Sequence, residues 1–151
     1  MTIHVSQTII AQIIAQAEQA YPEECCGFIL GELDRQNESI SHSHYYLPCL
    51  NEKSDNRERR FLIDPIAYQD AEDQADREGL AIISIVHSHP DHPDSPSEFD
   101  RLHAWPGLSY IIISVHQHKA AGYRSWRLTE DRQRFDPEQV CVDGSDTKAS
   151  I

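Results

Sequence analysis

At 151 residues, 39% of them apolar and 25% charged, the chain has room for one ordinary folded domain and needs no metal or disulfide merely to fold. A net charge of -12 repels a phosphate backbone, and Arg57, Arg59 and Arg60 form the one short basic stretch, so a nucleic-acid partner is excluded. The opening MTIHVSQTIIAQ lacks a basic segment, an apolar run and a small-residue cleavage site, and no apolar stretch approaches bilayer length. A cytoplasmic protein with no membrane partner is expected.

Ser6 is placed to cap a helix whose Ile10, Ile13, Ile14 and Ala17 recur at helical spacing and which ends near Pro22, the first element of the chain. CCGFILGEL, residues 25–33, reads as a strand. Asp34 to Asn37 supplies a turn into a more polar strand from Ser39 to Pro48, making a hairpin. A charged loop from Asn51 to Glu58 and a short strand from Arg60 to Ile63 follow. Asp64-Pro65 then opens an acidic, solvent-facing helix that runs to Gly79. LAIISIV, residues 80–86, is apolar without alternation, as a central strand covered on both faces requires.

Beyond a polar loop at 88–94, Ser95, Pro96 and Glu98 read as a capping box with proline at the first helical position. SYIIISV from Ser109 and AAGYRSWRL from Ala120 read as a strand pair, the second an outer strand. Residues 143–151 form a polar tail of disorder-type composition. The expected fold class is α/β with α+β-like layers: a mixed, mainly antiparallel sheet flanked by helices, in one domain over residues 1–142. Cys25, Cys26, Cys49 and Cys141 show no CxxC spacing and are read as buried thiols.

His87 and His89, two apart at a strand end, point to the same side, as two ligands of one metal would. Asp100 lies in the short helix, with Ser97 three residues before it on the same face. Two imidazoles and a carboxylate suit zinc and leave a fourth position for water, whose pKa zinc lowers to about 7. A hydrolase then needs a base and a donor toward the developing oxyanion; Glu24 and Ser97 are candidates.

The sequence resembles the JAMM (MPN+) metalloproteases of compact, stand-alone prokaryotic type. Their pattern is a distant Glu, then HxHP, a seven-residue span that includes that Pro, and SxxD. Here it reads Glu24 in PEECCGFILG, His87-Ser88-His89-Pro90, the span Pro90 to Pro96, and Ser97-Glu98-Phe99-Asp100. Five chemical positions at fixed spacing are far more specific than HxH alone. The core pattern is complete, unlike that of metal-free scaffold relatives, and the resemblance covers residues 3–142. It implies a cytidine-deaminase-like fold and one zinc on His87, His89 and Asp100. Glu24 would be general acid/base, and Ser97 would steady the tetrahedral intermediate. Pro22 and Gly27 place Glu24 rather than Glu23 in register.

His42/His44 and His116/His118 repeat the i, i+2 spacing without a capped helix and carboxylate behind them, so both pairs are read as exposed strand or turn residues. His92 and His103 each have a place from which to border the cleft, with a surface helix residue the preferred reading of His103. Cys26 is expected to pack beneath the site rather than act as a nucleophile. The chain has little room for ubiquitin-holding insertions, which argues against classical deubiquitination. The resemblance implies instead an amide-bond hydrolase acting at the Gly-Gly tail of a ubiquitin-like sulfur-carrier protein. The alternatives are a peptidase of small or cell-wall peptides and a non-catalytic, zinc-stabilised protein-binding module.

Overall fold

The computed structural model describes residues 1–49 and 65–144. The expected loop Asn51 to Glu58, the strand Arg60 to Ile63, the basic stretch Arg57 to Arg60 and tail residues 145–151 lie outside the described residues.

The element order is β1 (Thr2–Ser6), α1 (Gln7–Ala20), β2 (Cys26–Leu33), β3 (Ile40–Cys49), α2 (Pro65–Arg77), β4 (Ala81–Pro90), α3 (Glu98–His103), β5 (Ser109–His116), β6 (Lys119–Leu128) and β7 (Phe135–Asp143). Spatially the strands run β1-β3-β2-β4-β5-β6-β7, and β1 pairs in parallel with both β3 and β7, so the two sides of the sheet meet. The β4–β5 ladder is parallel; β2–β3, β2–β4, β5–β6 and β6–β7 are antiparallel. A mixed, mainly antiparallel sheet with helices packed on it is thus the observed architecture.

Two expectations are corrected. Helix α1 is not the first element: β1 precedes it, and its five residues end on Ser6, the same side chain that caps α1 by accepting from the Ile9 N–H. Nor is β6 an outer strand, because β7 covers its far half, pairing Ser125 with Glu138 through Leu128 with Phe135. Pro137 is tolerated opposite Trp126 because only this short stretch of β7 joins β6, before the strand passes on to β1. β7 runs to Asp143, the point at which the tail was expected to begin.

The sheet separates two apolar layers. On one face Ile9, Ile10, Ile13 and Ala17 of α1 pack on Ile3, Val5, Ile29, Val86, Ile111 and Ile113. Burying each of those α1 isoleucines contributes about 1.5–3 kcal/mol before entropy is counted. On the other face Ala71 and Ala75 of α2 and Ala104 after α3 cover Phe28, Leu30, Ile82, Ile85 and Tyr110. The β2–β4 register shifts between Ile29, opposite Ser84, and Leu30, opposite Ile82, leaving Ile83 as an extra residue in β4. That shift resets the alternation of the strand. Ile82 and Ile85 therefore share the α2–α3 face, and His87 and His89, two and four residues past Ile85, continue along it.

Candidate metal centre

Strand β4 does not stop at Val86, as the apolar run implied. It continues to Pro90, and residues Ser84 to Pro90 pair in parallel with Ser109 to Val115. Both histidines therefore stand inside a central ladder, His87 fully buried and His89 nearly so. The stretch expected as a polar loop from residue 88 begins only after Pro90, and it is the ladder, not the apolarity of the side chains, that extends the strand.

The helix cap also differs from expectation. Ser97, not Ser95, is the N-cap of α3: its hydroxyl accepts from the Asp100 N–H at 3.0 Å, and the Asp100 carboxylate accepts from the Ser97 N–H at 2.8 Å. Pro96 lies ahead of the cap rather than at the first helical position. A Ser-x-x-Asp box satisfies both orphan donors, so the pairing that starts the helix also fixes the direction of the Asp100 carboxylate.

Three candidate ligand atoms converge as a result. His87 Nε2 lies 3.1 Å from His89 Nε2, His89 Nε2 lies 3.1 Å from Asp100 Oδ2, and His87 Nε2 lies 3.3 Å from Asp100 Oδ1. They form the one such group of three among the described residues. Ligands bound tetrahedrally to zinc at about 2.0–2.1 Å stand about 3.3 Å apart, so the donor set fits that ion. His89 Nδ1 faces the Pro93 carbonyl at 2.8 Å. A carbonyl only accepts, so Nδ1 carries a proton, and a metal on Nε2 would take the place of the proton that Nε2 shares with Asp100.

Electrostatics agree with this arrangement. Burial, opposed by Asp100, holds His87 below its usual pKa. Burial pushes the Asp100 carboxyl up, but His87, the His89 hydrogen bond and the Ser97 N–H together outweigh it, so the group stays well below the carboxylate range. Glu24, just ahead of β2, is buried while Glu23 is exposed. Desolvation first, and the Asp100 charge second, push Glu24 up to about 9. Its position is set by Ser88, whose hydroxyl accepts the neighbouring Cys25 N–H at 2.8 Å while the Ser88 N–H donates to the Cys25 carbonyl. The variable position of HxH thus supports the Glu24 segment, a role that spacing in the sequence did not signal. Gly27 follows because a Cβ there would collide with the Tyr46 phenol.

Glu24, His89, Pro90, His92, Pro93, Ser95 and Ser97 line one cleft of about 220 Å³. His92 therefore borders the site. His103 does not line it: the ring stacks on Phe99 and bonds the Phe99 carbonyl on the exposed face of α3. Cys25 and Cys26 are buried, but Cys49 and Cys141 are only half-buried, a correction to the reading of all four as interior thiols. The Cys49 hydrogen bond and burial raise the Cys26 thiol far above its usual pKa, which disfavours a thiolate nucleophile.

Comparison with known proteins places this arrangement in a family. Prokaryotic homologs of the JAB domain match residues 6–129. The chain belongs to this family. It is a compact prokaryotic JAMM/MPN protein. It is 30% identical over 113 residues to a desampylase of Haloferax volcanii, covering 74% of this chain and 76% of that one. It is also 36% identical over 95 residues to tail tip assembly protein K of Escherichia phage N15, covering 63% of this chain and 33% of that one. A probable TtuB-protein conjugate cleaving protease of Thermus thermophilus is 34% identical over 73 residues, 48% of this chain and 46% of that one. The chain thus spans a third to about half the length of these last two relatives. A solution structure from Desulfitobacterium hafniense superposes with a TM-score of 0.79 at 28% identity, over 95% of this chain and 94% of that one. A JAB1/MPN domain protein from Archaeoglobus fulgidus shares the fold, with a TM-score of 0.55 at 17% identity over 92% and 97% of the two chains. Among the described residues no helix is long and apolar enough to cross a membrane.

Proposed function

We propose that this chain is a zinc-dependent peptidase or isopeptidase that hydrolyses an amide bond at the C-terminal tail of a ubiquitin-like sulfur-carrier protein. One observation carries the reading: three buried donors, His87 Nε2, His89 Nε2 and an Asp100 oxygen, converge at zinc-like separations, and His89 lines a cleft together with Glu24 and Ser97. The names of the Thermus and Haloferax relatives support cleavage of conjugates of a ubiquitin-like protein.

In this reading His87, His89 and Asp100 hold one zinc ion, which when bound supplies Lewis acidity and activates water near neutral pH. Glu24 takes the water proton and returns it to the leaving amine. Its raised pKa belongs to the metal-free chain, and a dication held by His87, His89 and Asp100 would favour its carboxylate form. Ser97 accepts from the Asp100 N–H, so its own O–H remains to point at the developing oxyanion. A narrow cleft between Pro90, Pro93 and Ser97 suits an extended glycine tail, which demands little side-chain room. The free cysteines fit a reducing, cytoplasmic setting.

The test incubates zinc-loaded protein with sulfur-carrier proteins bearing C-terminal extensions after Gly-Gly, alongside short peptides. The reading expects cleavage after the diglycine that disappears in Glu24→Gln. Preference for the short peptides moves the assignment to a small-peptide peptidase. Intact substrates in every arm, with one zinc bound per chain, point to a binding module.

A further inference from the structure

The ligands His89 and Asp100 are joined by a loop, residues 91–96, that has no regular structure, yet three consecutive carbonyls in it are each taken by a side chain from a different strand. Ser114 Oγ on β5 donates to the His92 carbonyl at 2.6 Å, His89 Nδ1 on β4 donates to the Pro93 carbonyl at 2.8 Å, and Trp126 Nε1 on β6 donates to the Asp94 carbonyl at 2.9 Å. The middle bond is the one that sets the His89 tautomer. The outer two come from residues that no motif singles out.

Their placement is specific. Ser114 is the direct ladder partner of His89 and is buried. The other contact of its hydroxyl is His116 Nε2 at 3.2 Å. With the hydroxyl hydrogen committed to the His92 carbonyl, Ser114 Oγ accepts from that ring. The Arg124 guanidinium lies 4.4 Å over the Trp126 ring, which fixes the plane in which its N–H points. The loop is stiff as well as tethered. Pro90, Pro93 and Pro96 fix three φ angles in seven residues, and the Asp91 carboxylate accepts from the Tyr21 hydroxyl at 2.7 and 2.9 Å.

We propose that Ser114 and Trp126 are positioning residues for the metal centre: by holding the carbonyls on either side, they keep the Pro93 carbonyl against His89 Nδ1 and bring Ser97 to its cap. In a loop this stiff the three carbonyls move together, so releasing an outer one carries the middle one away from His89. A hydrogen bond to a ligand histidine is typically worth 10–100-fold in metal affinity. The simpler role, satisfying polar groups for stability alone, makes a different prediction: fewer folded molecules, with unchanged affinity in those that remain.

The inference rests on the zinc reading above, and its test separates the two. Zinc affinity is measured by competition with a chromophoric chelator for the wild-type chain, Trp126→Phe and Ser114→Ala, and visible absorption is recorded on their cobalt(II) forms. Trp126→Phe keeps an aromatic ring beneath Arg124 and removes the N–H together with the five-membered ring that carries it. Each variant is expected to keep one metal site and a wild-type circular dichroism spectrum, with zinc affinity lower by roughly tenfold and altered cobalt bands. Wild-type affinity and cobalt bands in both variants, whatever their Tm, overturn the positioning role and leave the zinc reading standing. A wild-type chain that binds no zinc overturns the zinc reading and this inference with it. Variants that fail to fold with and without zinc assign the two bonds to stability and overturn the positioning role too.

Discussion

The same histidine pair, two residues apart, occurs on β3, on β4 and at the β5–β6 turn, and only on β4 do the rings converge. On β3, His42 Nε2 bonds Asp34 and His44 Nε2 bonds Glu32, so each ring takes its own carboxylate at the half-exposed surface. At the turn, His118 has φ 67°, which breaks the strand alternation and sends the ring to Tyr21 and the Glu18 carbonyl while His116 faces Ser114 and Asp91. On β4 both rings are buried and one carboxylate, aimed by its own helix cap, reaches both. Carboxylates are available to the β3 pair as well; what distinguishes a metal site is one carboxylate shared in a dry place.

The variant that breaks this contrast most severely is Asp100→Ala, which removes the proposed carboxylate ligand and the acid half of the capping box together. Loss of bound zinc and of all measurable turnover is expected from metal analysis and a cleavage assay, whereas Asp34→Ala on β3 leaves both intact. Glu24→Gln comes next. It retains one zinc per chain and lowers kcat by about 10²–10⁴-fold, read from steady-state kinetics with metal content checked in parallel. A drop in zinc content instead makes Glu24 a ligand.

A third expectation concerns pH in the metal-free chain. Glu24 titrates near 9 when folded but at an ordinary carboxyl value when unfolded, so between those values the folded state binds the extra proton. Stability from this group is complete at low pH and is lost as pH rises toward 9, by at most about 1.4 kcal/mol per pH unit. His87, depressed by burial, acts in the opposite sense below its usual value, and the raised Cys25 and Cys26 thiols add to the decline near their ordinary value, so Glu24 dominates between pH 7 and 8. Urea melts across that window should show the decline in the wild type and a much shallower slope in Glu24→Gln. The smallest effect is expected at the surface pair: His44→Ala changes unfolding free energy by only about 0.5 kcal/mol in the same melts.

Much of this was legible in the sequence where one local signal and one long-range demand coincided. The α1 periodicity behind Ser6, the β2–β3 hairpin with its Asp34 turn, and the strand pair from Ser109 are examples. β1 and β7 were not legible, because both are held by partners far along the chain: β1 is five residues long, and β7 carries Asp136, Pro137 and Glu138 in its β6-facing stretch. Glu138 is buried there only because Ser125 and Arg127 of β6 receive it. At the site, spacing nominated His87, His89, Asp100 and Ser97, the resemblance implied Glu24 and the roles of all five, and the structure brings His87, His89 and Asp100 together. The cap shifted by two residues because Ser95 and Ser97 offer the same hydroxyl, and only the position of Asp100 decides between them. Ser88, Ser114 and Trp126 act through backbone groups, and backbone contacts leave no spacing rule to read.

The most direct measurement is zinc stoichiometry, by metal analysis after dialysis, in two double variants compared with the wild type. One bound zinc in the wild type and in His42→Ala/His44→Ala, and none in His87→Ala/His89→Ala with its fold retained, is the predicted result. Zinc that stays with the β4 variant, or leaves with the β3 variant, contradicts the assignment of the metal to His87, His89 and Asp100.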